Sequence, residues 1–305
     1  NMGMDAPDGN IRFETLTDGT AVRFGHWPAS ARQRGRVVIC HGRTEFLEKY
    51  SEVIGELRAR GFDVWSMDWR GQGRSGRSLA NPHKGHIDRF ETYIDDLEWF
   101  IETIVADGDG DTVLIGHSMG GHIALRAVLE GRVAADRVIL TAPMTDLPMT
   151  GLSRAAIAWL CRLMTRMRFA SLYVVSQGDY NPGRVRFDGN VLTSDRRRFD
   201  AIHAAIAATP DVVMGGVTYG WLNAAFISIG KLRRVADTKP SICPVLICTA
   251  TADAVVSVNC QTAISDILPT CKQVRIDGAR HEIFHETDAI RSRFWDAFDR
   301  FTETD

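Results

Sequence analysis

A chain of 305 residues, 45% of them hydrophobic, can bury a large core in one α/β domain that carries an insertion. Its formal net charge of -2 argues against a nucleic-acid partner, and no run is long and apolar enough for a membrane-spanning helix. No positively charged start leads into an apolar signal region, so a cytoplasmic protein is expected, with contact at most with the inner face of a membrane. Cys40, Cys161, Cys243, Cys248, Cys260 and Cys271 form no Cys-x-x-Cys pair and read as free thiols of a reducing compartment, with a disulfide involving Cys260 and Cys271 as the alternative.

Ile11 to Thr15 and Ala21 to Trp27 flank Asp18-Gly19 and read as an N-terminal hairpin. Arg36 to Cys40 reads as a strand that delivers the loop His41-Gly42-Arg43-Thr44-Glu45. Val64 to Met67 reads as the next strand, and Gly71-Gln72-Gly73-Arg74-Ser75-Gly76 after it fits a dinucleotide fingerprint. The adjoining stretch from Ser78 to Gly85, with Asn81 and Pro82, lacks the helix a phosphate cradle needs. A Gly-rich loop near a site rim is therefore expected, without a nucleotide cofactor. Glu91 to Val105 has the period of a helix, with Ile94, Leu97, Ile101 and Ile104 on one face and an Asp88/Glu91 capping box.

The short apolar run Thr112 to Ile115 leads into Gly116-His117-Ser118-Met119-Gly120, which opens a helical segment from Met119 to Leu129. The Gly-x-Ser-x-Gly spacing puts small residues two before and two after the serine, where strand and helix backbones crowd in a nucleophile elbow. Ser118 is the candidate nucleophile. Two backbone N–H groups must then face the oxyanion: one from Met119, the residue after the nucleophile, and one from Arg43 in the early loop, whose side chain is left free for other work. Arg137 to Thr141 reads as the next strand.

From Thr141 to Ser241 the strand-helix alternation stops for about a hundred residues, too long for a plain crossover. Residues 145–230 are expected to form a helical cap inserted into a core made of residues 1–144 and 231–305. Ala155 to Met167 is almost continuously apolar, with Arg154, Arg162 and Arg166 on one side. It reads as a cap helix buried against the core or, in the sharper alternative, as a surface for a lipid chain or membrane. Asp146 to Gly230 contains nine Arg or Lys against six Asp or Glu, which favours phosphate- or carboxylate-bearing substrates, while Arg196-Arg197-Arg198 reads as a solvated face.

Ile242 to Cys248 reads as a buried strand that ends in Thr249-Ala250-Thr251-Ala252-Asp253, so Asp253 leaves its C-terminal end where a triad acid belongs; Asp277 is its nearest rival. Gln273 to Ile276 alternates before Asp277-Gly278-Ala279-Arg280-His281, which makes His281 the candidate base and His285 its rival. His281-Glu282-Ile283-Phe284-His285 also fits a zinc-peptidase pattern, but it starts on a loop and would leave Ser118 without a base, so no metal is expected. The last helix places Ile290, Phe294, Phe298 and Phe301 on the sheet.

Taken together, His41 to Glu45 with Lys49-Tyr50, Asp68 to Arg77, Gly116 to Gly121 and Gly278 to Glu282 resemble the α/β-hydrolase superfamily. Within it the resemblance is to the bacterial lysophospholipase and monoacylglycerol lipase group, filed with serine aminopeptidase-like hydrolases. The chain departs from the family pattern at Trp69, where a histidine is common, and in lacking a glycine before Asp253; neither position belongs to the triad. The resemblance implies an α/β-hydrolase fold with a mostly parallel sheet and a cofactor-free serine esterase acting on lipid or other small esters. The catalytic residues would be Ser118, Asp253 and His281, with Arg43 and Met119 at the oxyanion. The alternatives are a proline-iminopeptidase-like aminopeptidase, since the same triad cleaves amides, and a non-catalytic ligand-binding relative.

Overall fold

The computed structural model describes residues 9–105, 110–148, 153–238 and 243–303. Eight strands form one sheet: β1 Asn10–Thr15, β2 Ala21–Trp27, β3 Gly35–Cys40, β4 Phe62–Met67, β5 Asp111–His117, β6 Arg137–Thr141, β7 Val245–Ala250 and β8 Cys271–Ile276. Their order across the sheet is β1-β2-β4-β3-β5-β6-β7-β8. β1 and β2 pair antiparallel, β2 joins β4 antiparallel, and every pair from β4 to β8 is parallel. This is the α/β-hydrolase fold.

Position in the sheet explains strand composition. β7 is buried at every residue, as a strand covered on both faces must be, and it is a continuous apolar or small run, Val-Leu-Ile-Cys-Thr-Ala. β1, at the edge, is exposed throughout. The strand expected to start at Ile242 begins at Val245 instead; Ile242 itself lies outside the described residues.

Helices cover both faces: α1 Ser51–Ala59, α2 Glu91–Trp99, α3 Ser118–Leu129, α4 Arg154–Arg166, α5 Arg196–Ala208, α6 Tyr219–Thr238, α7 Val258–Ile267 and α8 Asp288–Thr302. α3 packs on β5, β6 and β3 through Ile123, Ala124 and Ala127, all fully buried. α8 lays Phe294 and Phe298 against the core, each burial contributing roughly 2–3 kcal/mol, and Phe298 meets Phe62 edge-on at 5.8 Å between ring centroids. Ile290 and Phe301 pack at the margin of the same surface.

Three expectations are corrected. The capping box at Asp88/Glu91 does not form: Phe90 precedes α2 without a side-chain cap, Asp88 pairs with His86 at 3.3 Å, and Glu91 is drawn to Arg126 at 3.0 Å. The helix also does not run on as α to Val105, because Phe100–Val105 widens into a π-helical turn. Arg198 is not part of a solvated face; it is buried in contacts with Glu52, Asp195 and Asp288, whereas Arg196 and Arg197 are exposed. None of the six cysteines is in a disulfide.

Between β6 and β7 the described residues carry α4, α5 and α6. α4 meets the core with one face, through Cys161 and, at its margin, Ile157, Ala158, Leu160 and Met164. Only Cys161 is fully covered; the helix leans on α6 and leaves Trp159 65% exposed, close in sequence to exposed Met167, Phe169 and Leu172. α6 is tied to α3 by polar contacts. Arg126 donates to Ser228 Oγ at 2.7 Å, and Ser228 in turn donates to His122 Nε2 at 2.5 Å. No helix of the described residues is long and apolar enough to cross a membrane.

Candidate active site

Parallel strands deliver their C-terminal ends to one edge of the sheet, and chemistry in such folds gathers there. β5 ends at His117 and α3 begins at Ser118, whose φ of 50° lies in the left-handed region that non-glycine residues rarely adopt. The tight turn holds the serine hydroxyl above the sheet. Close approach on either side requires the flanking glycines: a Cβ on Gly120 would lie 2.1 Å from the Cys40 carbonyl oxygen and 2.4 Å from that of His41. Those are backbone atoms of β3 and its loop, so they cannot swing aside. Gly120→Ala is therefore expected to cost about 2 kcal/mol or more of unfolding free energy, read from urea melts. Wild-type stability in that variant would show that α3 can slide off the sheet freely.

Ser118 Oγ stands 2.9 Å from His281 Nε2, and His281 Nδ1 stands 2.8 Å from Asp253 Oδ2. Asp253 accepts at Nδ1, so the ring proton sits there and Nε2 is left to accept from the serine hydroxyl. The other carboxylate oxygen of Asp253 accepts from the backbone N–H groups of Val255 at 2.7 Å and Val256 at 3.1 Å. Burial opposes the Asp253 charge, but the hydrogen bond and charge of His281, with these two N–H groups, outweigh it and hold the carboxyl below its ordinary range.

The rivals lie elsewhere. His285 Nε2 bonds the Lys49 carbonyl at 2.9 Å, and Asp277 is exposed on the turn after β8. Both ring nitrogens of His281 are engaged by Ser118 and Asp253, while His285 faces Lys49, so the two histidines of the His-Glu-x-x-His run do not converge on one point. The glycine run 71–76 folds as a loop around the buried carboxylate of Asp68, which accepts from Leu47 N and Arg74 N at 2.9 Å each. Trp69, the family departure, is buried and donates its Nε1–H to the His41 carbonyl at 2.8 Å.

Arg43 and Met119 line one cavity of about 160 Å³ together with Ser118 and His281. Met119 sits in the first turn of α3, where backbone N–H groups have no acceptor in a preceding turn. The Arg43 loop is braced from two sides. Gln72 accepts from Thr44 N at 2.8 Å, and Glu45 accepts from Gly42 N at 2.5 Å and from Tyr50 Oη at 2.7 Å. Lys49 then bridges Glu45 at 2.6 Å and Glu282 at 2.7 Å. Burial opposes the Lys49 charge, yet the two carboxylates win and raise its pKa. The bridge fastens the loop of Arg43 to the loop of His281.

In the sequence Glu45, Lys49 and Glu282 stand out only as motif letters, without this task. The four-residue spacing of Glu45 and Lys49 gives no helical signal, because Glu45 lies in the loop before the 3-10 turn Leu47–Tyr50. The pairing with Glu282 has none either, being a contact across most of the chain.

A larger cavity of about 310 Å³ shares the walls Arg43, Thr44, Leu192 and Glu282 with the first. It is lined on the inserted side by apolar residues including Phe199, Ile202, Ile206, Val212 and Met214.

A family model described as serine aminopeptidase, S33, matches residues 31–288. The chain is 34% identical over 286 residues to lysophospholipase L2 of Escherichia coli (strain K12), spanning 91% of this chain and 83% of that one. It is 28% identical over 260 residues to a probable lysophospholipase L2 of Haemophilus influenzae, spanning 85% and 80%. Among solved structures, a soluble variant of monoglyceride lipase from Saccharomyces cerevisiae in complex with a substrate analog matches with a TM-score of 0.78 at 20% identity, over 98% of this chain and 96% of that one. A carboxyl esterase from Bacillus coagulans in complex with glycerol matches with a TM-score of 0.75 at 18% identity, over 97% and 98%.

Proposed function

The chain belongs to the serine aminopeptidase, S33, family of α/β-hydrolases, and from that premise we propose that it is a lysophospholipase or monoacylglycerol lipase-type serine esterase that works through an acyl-enzyme. The observation that carries the reading is the unbroken chain of hydrogen bonds from Ser118 through His281 to Asp253.

In this mechanism Ser118 Oγ attacks the ester carbonyl as His281 Nε2 takes its proton, and Asp253 stabilises the imidazolium. The tetrahedral oxyanion is held by the backbone N–H groups of Met119 and Arg43. His281 gives its proton to the leaving alcohol, an acyl-serine remains, and water attacks it with His281 again as base, releasing a carboxylic acid. Every proton moved comes from serine or water, so the chemistry needs no metal or organic cofactor.

Residues 145–230 serve as a cap over the site in this reading. Leu147, Leu192 and Trp221 from this segment share the smaller cavity with Ser118, and the apolar lining of the larger one suits an acyl chain. The exposed Trp159 beside Arg162 and Arg166 supports contact with the lipid aggregates in which such esters reside.

Initial rates on one panel test the proposal: lysophospholipids and monoacylglycerols, each presented as monomers and in vesicles, short p-nitrophenyl esters, and an N-terminal proline anilide, with Ser118→Ala as the blank. Preference for long-chain glycerol-based esters, higher in vesicles, is expected. Turnover of the anilide alone would make the protein an aminopeptidase instead.

A further inference from the structure

We infer that the Arg43 side chain is a phosphate anchor, so that one residue holds the oxyanion with its backbone and the glycerol-linked phosphate of a lysophospholipid with its guanidinium. The inference rests on the esterase reading above and adds the part of the substrate that the enzyme selects.

Arg43 lines both cavities and therefore stands between the reacting atoms and the space under the inserted helices. Its guanidinium lies over the Trp221 ring, 5.8 Å from the centroid, and donates from Nη1 to the Gly215 carbonyl at 3.0 Å. These two contacts fix its plane without neutralising it. Among the described residues no carboxylate pairs with it, although most buried or half-buried arginines here have one, as Arg23, Arg126, Arg198 and Arg291 do. Burial without a counter-ion draws its pKa down to about 10.

The acids that share its cavities are already engaged. Glu45 and Glu282 hold Lys49, and Asp179 accepts from Asn81 Nδ2 at 2.9 Å and from the Tyr173 hydroxyl. A desolvated, oriented cation with spare N–H donors at the mouth of a reaction cavity is a receptor for an anion of the ligand, and a planar guanidinium suits phosphate best.

Reach agrees with this. The path from the backbone nitrogen of an arginine to its guanidinium carbon contains as many bonds as the path from the ester carbonyl carbon to phosphorus when glycerol carries an acyl ester at one end and a phosphate at the other. A substrate whose carbonyl oxygen rests on the Arg43 N–H thus has its phosphate within range of the same side chain. A monoacylglycerol leaves that cation unsatisfied.

The test compares kcat/KM for a lysophosphatidate with that for the monoacylglycerol of the same chain, in wild type, Arg43→Lys and Arg43→Met. The ratio is expected to fall about tenfold or more in Arg43→Met, chiefly through KM for the phosphate substrate, and to stay intermediate in Arg43→Lys. An unchanged ratio in a folded Arg43→Met protein overturns the inference. Should that variant fail to fold, competition in the wild type decides: inhibition by glycerol 3-phosphate but not by glycerol supports the anchor, and equal inhibition by inorganic phosphate reduces it to a simple anion site and overturns the headgroup assignment. If wild type turns over neither lipid, the esterase reading fails, and Arg43-dependent calorimetric binding of glycerol 3-phosphate to Ser118→Ala still decides this inference by its presence or absence.

Discussion

Ser118→Ala is expected to lower ester turnover by about 10³-fold or more while leaving the unfolding transition within about 1 kcal/mol of wild type. The hydroxyl contributes one hydrogen bond, to His281 Nε2, and no packing that alanine lacks, so chemistry and stability separate cleanly at this position. His281→Ala should lose activity on the same scale, because among the described residues no other base bonds Ser118 Oγ. His117 is the nearest other imidazole, its ring centroid 4.9 Å from that of His281, but its Nδ1 faces Thr141 and burial draws its pKa down to about 4. His285→Ala is the control that discriminates: its ring is fixed on the Lys49 carbonyl, and loss of activity there but not in His281→Ala would reverse the assignment of the base. Near-wild-type rates in a folded Ser118→Ala protein would remove the mechanism altogether.

The second large effect is on stability against pH. His117 and His122 are buried and neutral, with pKa values lowered to about 4 and about 3 from the ordinary 6.5. Burial is the main cause at both. At His122 the neighbouring Arg126 adds repulsion, and a proton on Nε2 would face a Ser228 hydroxyl that already accepts from Arg126. Below an ordinary histidine pKa the unfolded chain binds protons that the folded chain refuses. Stability is therefore complete above about pH 6.5 and is lost as pH falls from there towards the folded values. At about pH 5 each histidine should withdraw about 2 kcal/mol, a large share of a typical domain's margin. Urea unfolding at about pH 8 and about pH 5 reads the difference, and His122→Gln should shrink it by about 2 kcal/mol. Equal stability at both pH values would mean that these rings are hydrated or charged in the folded protein.

The residues behind these effects differ in how far the sequence discloses them. Ser118, Asp253 and His281 each follow a strand end; β5 and β7 announce themselves as apolar runs and β8 by alternation, so fold and candidate triad are legible in the same patterning. Helix starts are less legible. Asp88 and Glu91 have capping spacing, but other partners claim both, Asp88 the ring of nearby His86 and Glu91 the guanidinium of Arg126 far along the chain. In α4 a nearly continuous apolar run hides which residues meet the core and which meet solvent; what decides is the packing on α6, which covers one face only. The unpaired state of the Arg43 guanidinium leaves no trace in sequence, since it depends on which acids other cations have already taken.

The inserted segment is stitched to the histidine loop. Arg280 Nη1 donates to the carbonyls of Asn190 and Thr193 at 3.0 and 2.9 Å, Glu282 N donates to Leu192 O at 2.8 Å, and Thr193 Oγ1 donates to His285 O at 2.6 Å. Residues 190–193 thus belong by sequence to the segment between β6 and β7 and by hydrogen bonding to the loop that carries His281. The segment between β6 and β7 is consequently not an interchangeable module. A chimera that grafts another insertion between β6 and β7 leaves His281 without its scaffold unless that short stretch travels with the host, and the natural seam for an exchange runs inside the insertion, on either side of it.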